Sequence, residues 1–355
     1  MKTSQPIQKT ESFVAIAHSI YVSRGGAWPS KSELPMGLGN GLFIADKEYL
    51  MGMVDVGWRR HADREVNRLK QSNFVILKTG NSHSPFDFDK SIELLAHCDR
   101  FFCALAMCGV GFGVQSLNSG VEIIGEYSGE SPEIRSMSYI PTFYGPWKGS
   151  ESSWEAISPI DISENVIFRA QAITSGLERI AMAEGDYERL NKAYYMWGIG
   201  MKTWDCQERL IQFVRTIECL FPEKDYGKNK FCENGRKSFF VSAEAGGEKK
   251  SILWRLYEIR NKLQHNASLC SVIEDFGPND ESKHRVMEHS LQAELLASNA
   301  LRRVLSSPSI IRHYINNDAV ESLFAELPNS KYACLGQDFD VLHEIDSRRS
   351  TQTEV

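Results

Sequence analysis

The spacing of apolar residues changes character part-way along the chain. Before residue 150 the apolar runs are short or alternate with polar residues, and turn residues separate them. Phe13 to Val22 closes on Arg24-Gly25-Gly26. Gly41 to Ala45, Leu50 to Val56, Asn73 to Leu77, Val121 to Tyr127 and Met137 to Tyr144 read the same way, as strands. One segment among them has helical spacing. Asp89 to Cys108 carries Ile92, Leu95, Ala96, Phe102, Leu105 and Ala106, with Pro85 and Asp87 before it and glycines after it. Glycine and proline punctuate 144–153, which marks a linker or domain edge. After Pro159 the period becomes helical. Val166, Ala170, Ile173, Leu177 and Ile180 form one stripe; Leu210, Phe213 or Val214, Ile217 and Phe221 form another. Arg285 to Leu305 and Ile310 to Leu327 complete the series. The expected fold class is therefore α+β: a β-rich domain over 1–150, an all-α bundle of about five helices over 160–327, and a polar tail over 328–355 that is disordered from Asp346 onward.

The stripe Ile252, Leu256, Ile259 and Leu263 defines a further helix, and this one carries candidate chemistry. At roughly 100° per residue, Arg260 falls at the edge of the stripe. Asn261 and His265 are four residues apart and share nearly the opposite face, with Glu258 beside them. Arginine grips phosphate through a planar fork of donors, and histidine passes protons near neutral pH. Asn266 suits a helix end. Glu218 lies off the Leu210 stripe much as Arg260 lies off its own. If the two helices pack, Glu218 is placed to hold the Arg260 guanidinium. Lys249, Lys250, Arg255 and Lys262 surround the pair against one acid, Glu258. They read either as a solvated basic face or as an RNA-phosphate patch.

The run Leu256 to Asn266 resembles the signature of HEPN domains, in which Arg is followed at four to six residues by His, often with a polar residue straight after the Arg. Here the gap is four and the polar residue is Asn261. Phe213 to Phe221 resembles the preceding helix of the ApeA-like branch, and the Lys-rich segment from Tyr226 to Phe240 fits that branch too. The resemblance covers residues 160–325. It implies an endoribonuclease that needs no metal and no cofactor, of the kind found in toxin and anti-phage abortive-infection systems. It also implies a homodimer with two motifs facing across the interface. Arg260 and His265 would be catalytic, with Asn261 orienting the phosphate or His265. One Arg–His pair offers one proton-transfer group, and two copies on a two-fold axis offer an acid and a base. The N-terminal domain would respond to a phage-derived or cellular trigger. Two other readings stand beside this one. One is a non-catalytic HEPN module that binds RNA, a nucleotide or a partner protein. The other is a toxin controlled by a separate nucleotidyltransferase-type antitoxin.

Composition narrows the classes without choosing among them. The 355 residues suffice for two cores, and 42% hydrophobic with 24% charged residues is ordinary for a globular chain. A net charge of -6 argues against a generally basic nucleic-acid coat. None of the eight cysteines forms Cys-x-x-Cys or sits at zinc spacing from a histidine, so no metal site is expected. Cys98, Cys103 and Cys108 read as buried thiols. The polar start from Met1 to Glu11 is no signal peptide, and the apolar run Phe101 to Phe112 is too short to span a bilayer. A cytoplasmic protein with no membrane partner is expected.

Overall fold

The structure is a computed structural model. It describes residues 12–18, 36–39, 42–45, 74–80, 88–110, 122–125, 134–135, 157, 160, 163–183, 185–203, 205–223, 227–239, 251–265, 279–328, 335–336 and 339–350. The chain divides into two compact units, 1–143 with 159–171, and 144–158 with 172–355.

The first unit corrects the expected fold class. A β-rich α+β domain over 1–150 is not what the described residues show, because the structure is predominantly helical. Every side chain described as buried before residue 150 lies in helix α1 (Phe88–Met107) or the turn after it, from Phe101 to Val110. The strand segments are β1 (Ser12–His18), β2 (Met36–Gly39), β3 (Leu42–Ala45), β4 (Phe74–Gly80), β5 (Glu122–Gly125) and the two-residue β6 (Ile134–Arg135). They pair antiparallel in the order β2-β3-β4-β1-β5-β6, with Ile16 opposite Ile76. The physical reason for the correction lies in α1. Its continuous apolar run from Phe101 to Met107 is buried on all sides, while period-2 alternation marks strand residues without setting the class of a whole domain. The strands expected at Leu50 to Val56 and Met137 to Tyr144 lie outside the described residues.

The second unit is built around one helix. The relevant elements are α2 (Glu164–Met182) from Ala172 onward, α3 (Glu188–Lys202), α4 (Cys206–Cys219), α5 (Lys228–Ser238) and α6 (Ile252–Gln264). Helix α4 packs against α3, α6 and the long α7 (Asn279–Ser306). It is buried nearly all round, with Leu210, Phe213, Val214 and Ile217 at zero exposure, as a central helix must be. Its start is fixed by Asp205, whose side chain accepts from the Gln207 and Glu208 backbone N–H groups at 3.0 and 2.8 Å. Helices approach closely where glycine allows it. A Cβ on Gly176 of α2 would lie 2.1 Å from the Leu305 carbonyl oxygen of α7, and one on Gly200 of α3 would lie 2.7 Å from the Phe213 ring. Gly176→Ala is therefore expected to destabilise the bundle by about 1–3 kcal/mol or more through backbone displacement. A urea melt with the wild-type midpoint would contradict this close approach.

Two expectations about the end of the chain change. The helix expected from Ile310 to Leu327 is interrupted. A turn at Pro308–Ile311 (α8) runs into a 3-10 turn, Arg312–Tyr314, and α9 (Asn317–Glu326) starts afresh. Asn316 causes the restart, because its side chain accepts the Ala319 N–H at 2.9 Å. The stretch from Asp346, expected to be disordered, is helical through Ser350 in α10 (Val341–Ser350). Val341, Ile345 and Arg348 of that helix are buried.

Candidate functional site

The local sequence sets α6 in place. Ser251 caps it, accepting the Trp254 N–H at 3.3 Å. Ile252, Leu253, Leu256 and Ile259 are buried, while Leu263, expected on the same stripe, is only half-buried. On the flank, Tyr257 enters an aromatic cluster. Its ring lies 5.1 Å from Phe231 of α5; Phe231 lies 5.5 Å from Phe221, and Phe221 lies 5.8 Å from Phe324 of α9. This cluster ties α5, α6, α9 and the segment after α4 into one rigid corner.

Arg260 sits on that corner. Its guanidinium carbon lies 4.7 Å from the centre of the Tyr257 ring. One terminal nitrogen, Nη2, pairs with Oε1 of Glu218. The other, Nη1, donates to Asn261 Oδ1 at 2.6 Å and to Gln264 Oε1 at 3.1 Å. The side chain is only 11% exposed, against 30% for Glu218. Burial, with the nearby charge of Arg215, draws Arg260 down to about 10. At neutral pH it remains a cation, and the Glu218 carboxylate favours that form. Its Nε is buried and meets no hydrogen-bond acceptor.

The carboxylate end is held equally well. Arg189 of α3 donates to the Cys219 carbonyl at 3.2 Å, to the Glu218 carbonyl at 3.4 Å and to the Phe221 carbonyl. The buried Tyr314 hydroxyl donates to the Leu220 carbonyl at 3.0 Å. The orphan carbonyls that end α4 are thereby satisfied, and Glu218 projects from a fixed backbone.

His265 lies at the C-cap of α6, exposed, with its backbone N–H on the Asn261 carbonyl at 3.1 Å. Arg260, Asn261 and Glu218 are thus brought into contact, and His265 stands one turn further along the same helix. Asn261 engages Arg260 through its side chain and His265 only through its backbone. Arg255 and Lys262 are half-buried on α6; Lys249 and Lys250 lie outside the described residues. Tyr257 and Gln264 were not expected at the site, although their spacing from Arg260, three before and four after, places them on its face. Lys228 caps the Trp254 ring at 3.6 Å.

Among the described residues there is no group of three or more His, Cys, Asp or Glu able to hold a metal ion. Cys103 and Cys108 are buried free thiols; the side chain of Cys98 lies outside the described set. No described helix is long and apolar enough to cross a membrane. No protein-family model, curated protein or solved structure matches this chain.

Proposed function

We propose that the chain is an endoribonuclease of the HEPN type, acting through Arg260 and His265 as a toxin or anti-phage effector in the cytoplasm. The observation that carries this reading is a charged guanidinium, fixed by Glu218, Asn261 and Gln264, on the same helix end as an exposed imidazole. The resemblance of Leu256 to Asn266 to the HEPN signature supplies the substrate class. In this mechanism the 2′-OH of RNA attacks the adjacent phosphorus and the 5′-oxygen of the next nucleotide leaves. One His265 takes the hydroxyl proton. The His265 of a second copy gives a proton to the leaving oxygen. Arg260 stabilises the charge that develops on the phosphorane. Homodimerisation through the helical unit is part of the proposal, because one histidine does not serve as base and acid in the same step.

Two results are expected. Cleavage should persist in EDTA, products should end in a 2′,3′-cyclic phosphate or its hydrolysis product, and a substrate with deoxyribose at the cleaved position should stay intact. Loss of cleavage in EDTA, with the deoxy substrate cut normally, would point to metal-assisted attack by water. Arg260→Lys should impair cleavage, since a point charge does not reproduce the fork. The edge position of Arg260 predicts that folding tolerates this change. The contacts to Glu218, Asn261 and Gln264 revise that expectation to a loss of about 1–3 kcal/mol. An Arg260→Lys protein with wild-type melting and wild-type cleavage would remove Arg260 from both roles.

A further inference from the structure

The charges around Glu218 do not balance. Arg215 lies three residues before Glu218 on α4, one helical turn away and within reach of its carboxylate. Glu218 nevertheless places Oε1 on Arg260. Among the described residues, no carboxylate or hydrogen-bond acceptor meets the Arg215 guanidinium, which is partly exposed. The charge of Arg215 reaches Arg260 across the α4–α6 contact and also reaches Cys219, together with Lys192 and Arg189. So several cations act on the last turn of α4, with Glu218 on Arg260 and Glu223 at 3.9 Å from Arg189 as the acids among them. The donors are not all engaged either. Besides the Arg215 fork, the Nε of Arg260 is buried without an acceptor, which is rare for a buried donor in a native fold.

We infer that Arg215 and Arg260 form a two-guanidinium site for a phosphate group, in which Glu218 is an internal anion that the phosphate replaces. Glu218 is the more exposed partner of its pair, so it can swing to solvent while the Arg260 stem stays buried on Tyr257. A phosphate group sets four oxygens around a tetrahedral phosphorus, against the two coplanar oxygens of a carboxylate; a backbone diester carries one negative charge and inorganic phosphate nearly two near neutral pH. It can therefore accept from both forks at once, which a carboxylate held by Arg260 does not do. Glu218 on Arg260 keeps two like charges from facing each other uncompensated. The inference deepens the ribonuclease reading and rests on it for the identity of the phosphate as a backbone group of RNA. Arg215 then becomes a substrate-binding residue beside the scissile bond.

The test uses the full-length protein and inorganic phosphate, titrated at constant ionic strength against chloride, with thermal melting as the readout. The wild type should show a saturating rise in melting temperature with phosphate and none with chloride. Arg215→Gln should weaken the apparent phosphate affinity about tenfold or more, and Arg215→Lys should fall between the two. Glu218→Gln should bind phosphate more tightly than the wild type, because the competing anion is gone. Circular dichroism at the start of each titration shows that the variant is folded; where Arg215→Gln is not, Arg215→Lys decides. A wild type without a phosphate-specific shift, or an Arg215 variant with wild-type affinity, overturns the inference. So does a Glu218→Gln protein that binds phosphate no tighter. A wild type that binds phosphate through Arg215 yet leaves RNA intact keeps this site and removes the ribonuclease reading. One that cleaves RNA while Arg215→Gln binds phosphate unchanged does the reverse.

Discussion

His265→Ala should lower RNA cleavage by about 10²-fold or more while leaving the melting temperature where it was. The two halves of that result come from different observations. The rate loss follows from removing the group that moves the proton, and the conservative alternative, His265→Gln, should not restore it, because glutamine does not titrate. The unchanged stability follows from position. His265 is exposed at the C-cap, and its one described hydrogen bond is made by its backbone N–H, which alanine retains. Substitutions at such surface positions stay within about 0.5 kcal/mol. Full cleavage by His265→Ala would remove the imidazole from the mechanism. A large fall in melting temperature would instead mean that His265 is packed within the dimer contact and does not stand open in the shared cleft. A mixed dimer, with one wild-type and one His265→Ala subunit, separates the composite site from an independent one. The proposed sharing of acid and base predicts that the mixed dimer is impaired almost as severely as the double mutant.

How much of this was readable beforehand depends on the range of the forces involved. The burial of Ile252, Leu256 and Ile259, and the flanking position of Arg260, follow from the 3.6-residue period, and the structure places them so. The Glu218–Arg260 contact was accessible as a conditional expectation, because each residue stands at the same angle from its own stripe. The support beneath it was not. The Tyr257–Phe231–Phe221–Phe324 cluster joins residues of four separate segments, and no local period announces such a contact. Arg189 on the carbonyls that end α4 was hidden for the same reason, since the sequence shows only one charged residue on another helix. Helix α10 was missed because Asp346-Ser347-Arg348-Arg349 reads as a solvated tail, whereas Arg348 is buried. The β-rich reading of the first 150 residues failed for the opposite reason. Alternation is a purely local signal that marks strand residues without setting the class of a whole domain, and the described structure is predominantly helical.

Glu294→Ala should cost the helical unit about 3–5 kcal/mol. Glu294 of α7 pairs with Arg209 of α4 in the interior, where the two side chains are 7% and 9% exposed. Burial pushes the Glu294 carboxyl above the usual carboxylate range, against the pull of Arg209 and Arg348. The pair thus bears a large desolvation cost that each partner offsets only while the other is present. Alanine removes the carboxylate and leaves the Arg209 guanidinium buried, with its aromatic neighbour Phe213 at 5.6 Å and the Thr203 carbonyl at 3.5 Å as weak substitutes. The same logic says that the pair is not required as such. A double replacement by apolar residues of similar volume, Arg209→Met with Glu294→Leu, should recover most of the loss, because neither charge of the pair is then left buried without its partner, and Arg348 keeps Glu344 at 3.8 Å. Urea melts of the three variants decide the matter. A Glu294→Ala loss below about 1 kcal/mol would show that water reaches the pair and screens it as it does a surface ion pair. A double variant as unstable as the single one would show that the ion pair fixes the α4–α7 contact through its geometry. Since α4 also carries Glu218 and Arg215, RNA cleavage by the double variant then reports whether this contact positions the site: retained stability with lost cleavage would place the alignment of α4 among the requirements of the chemistry.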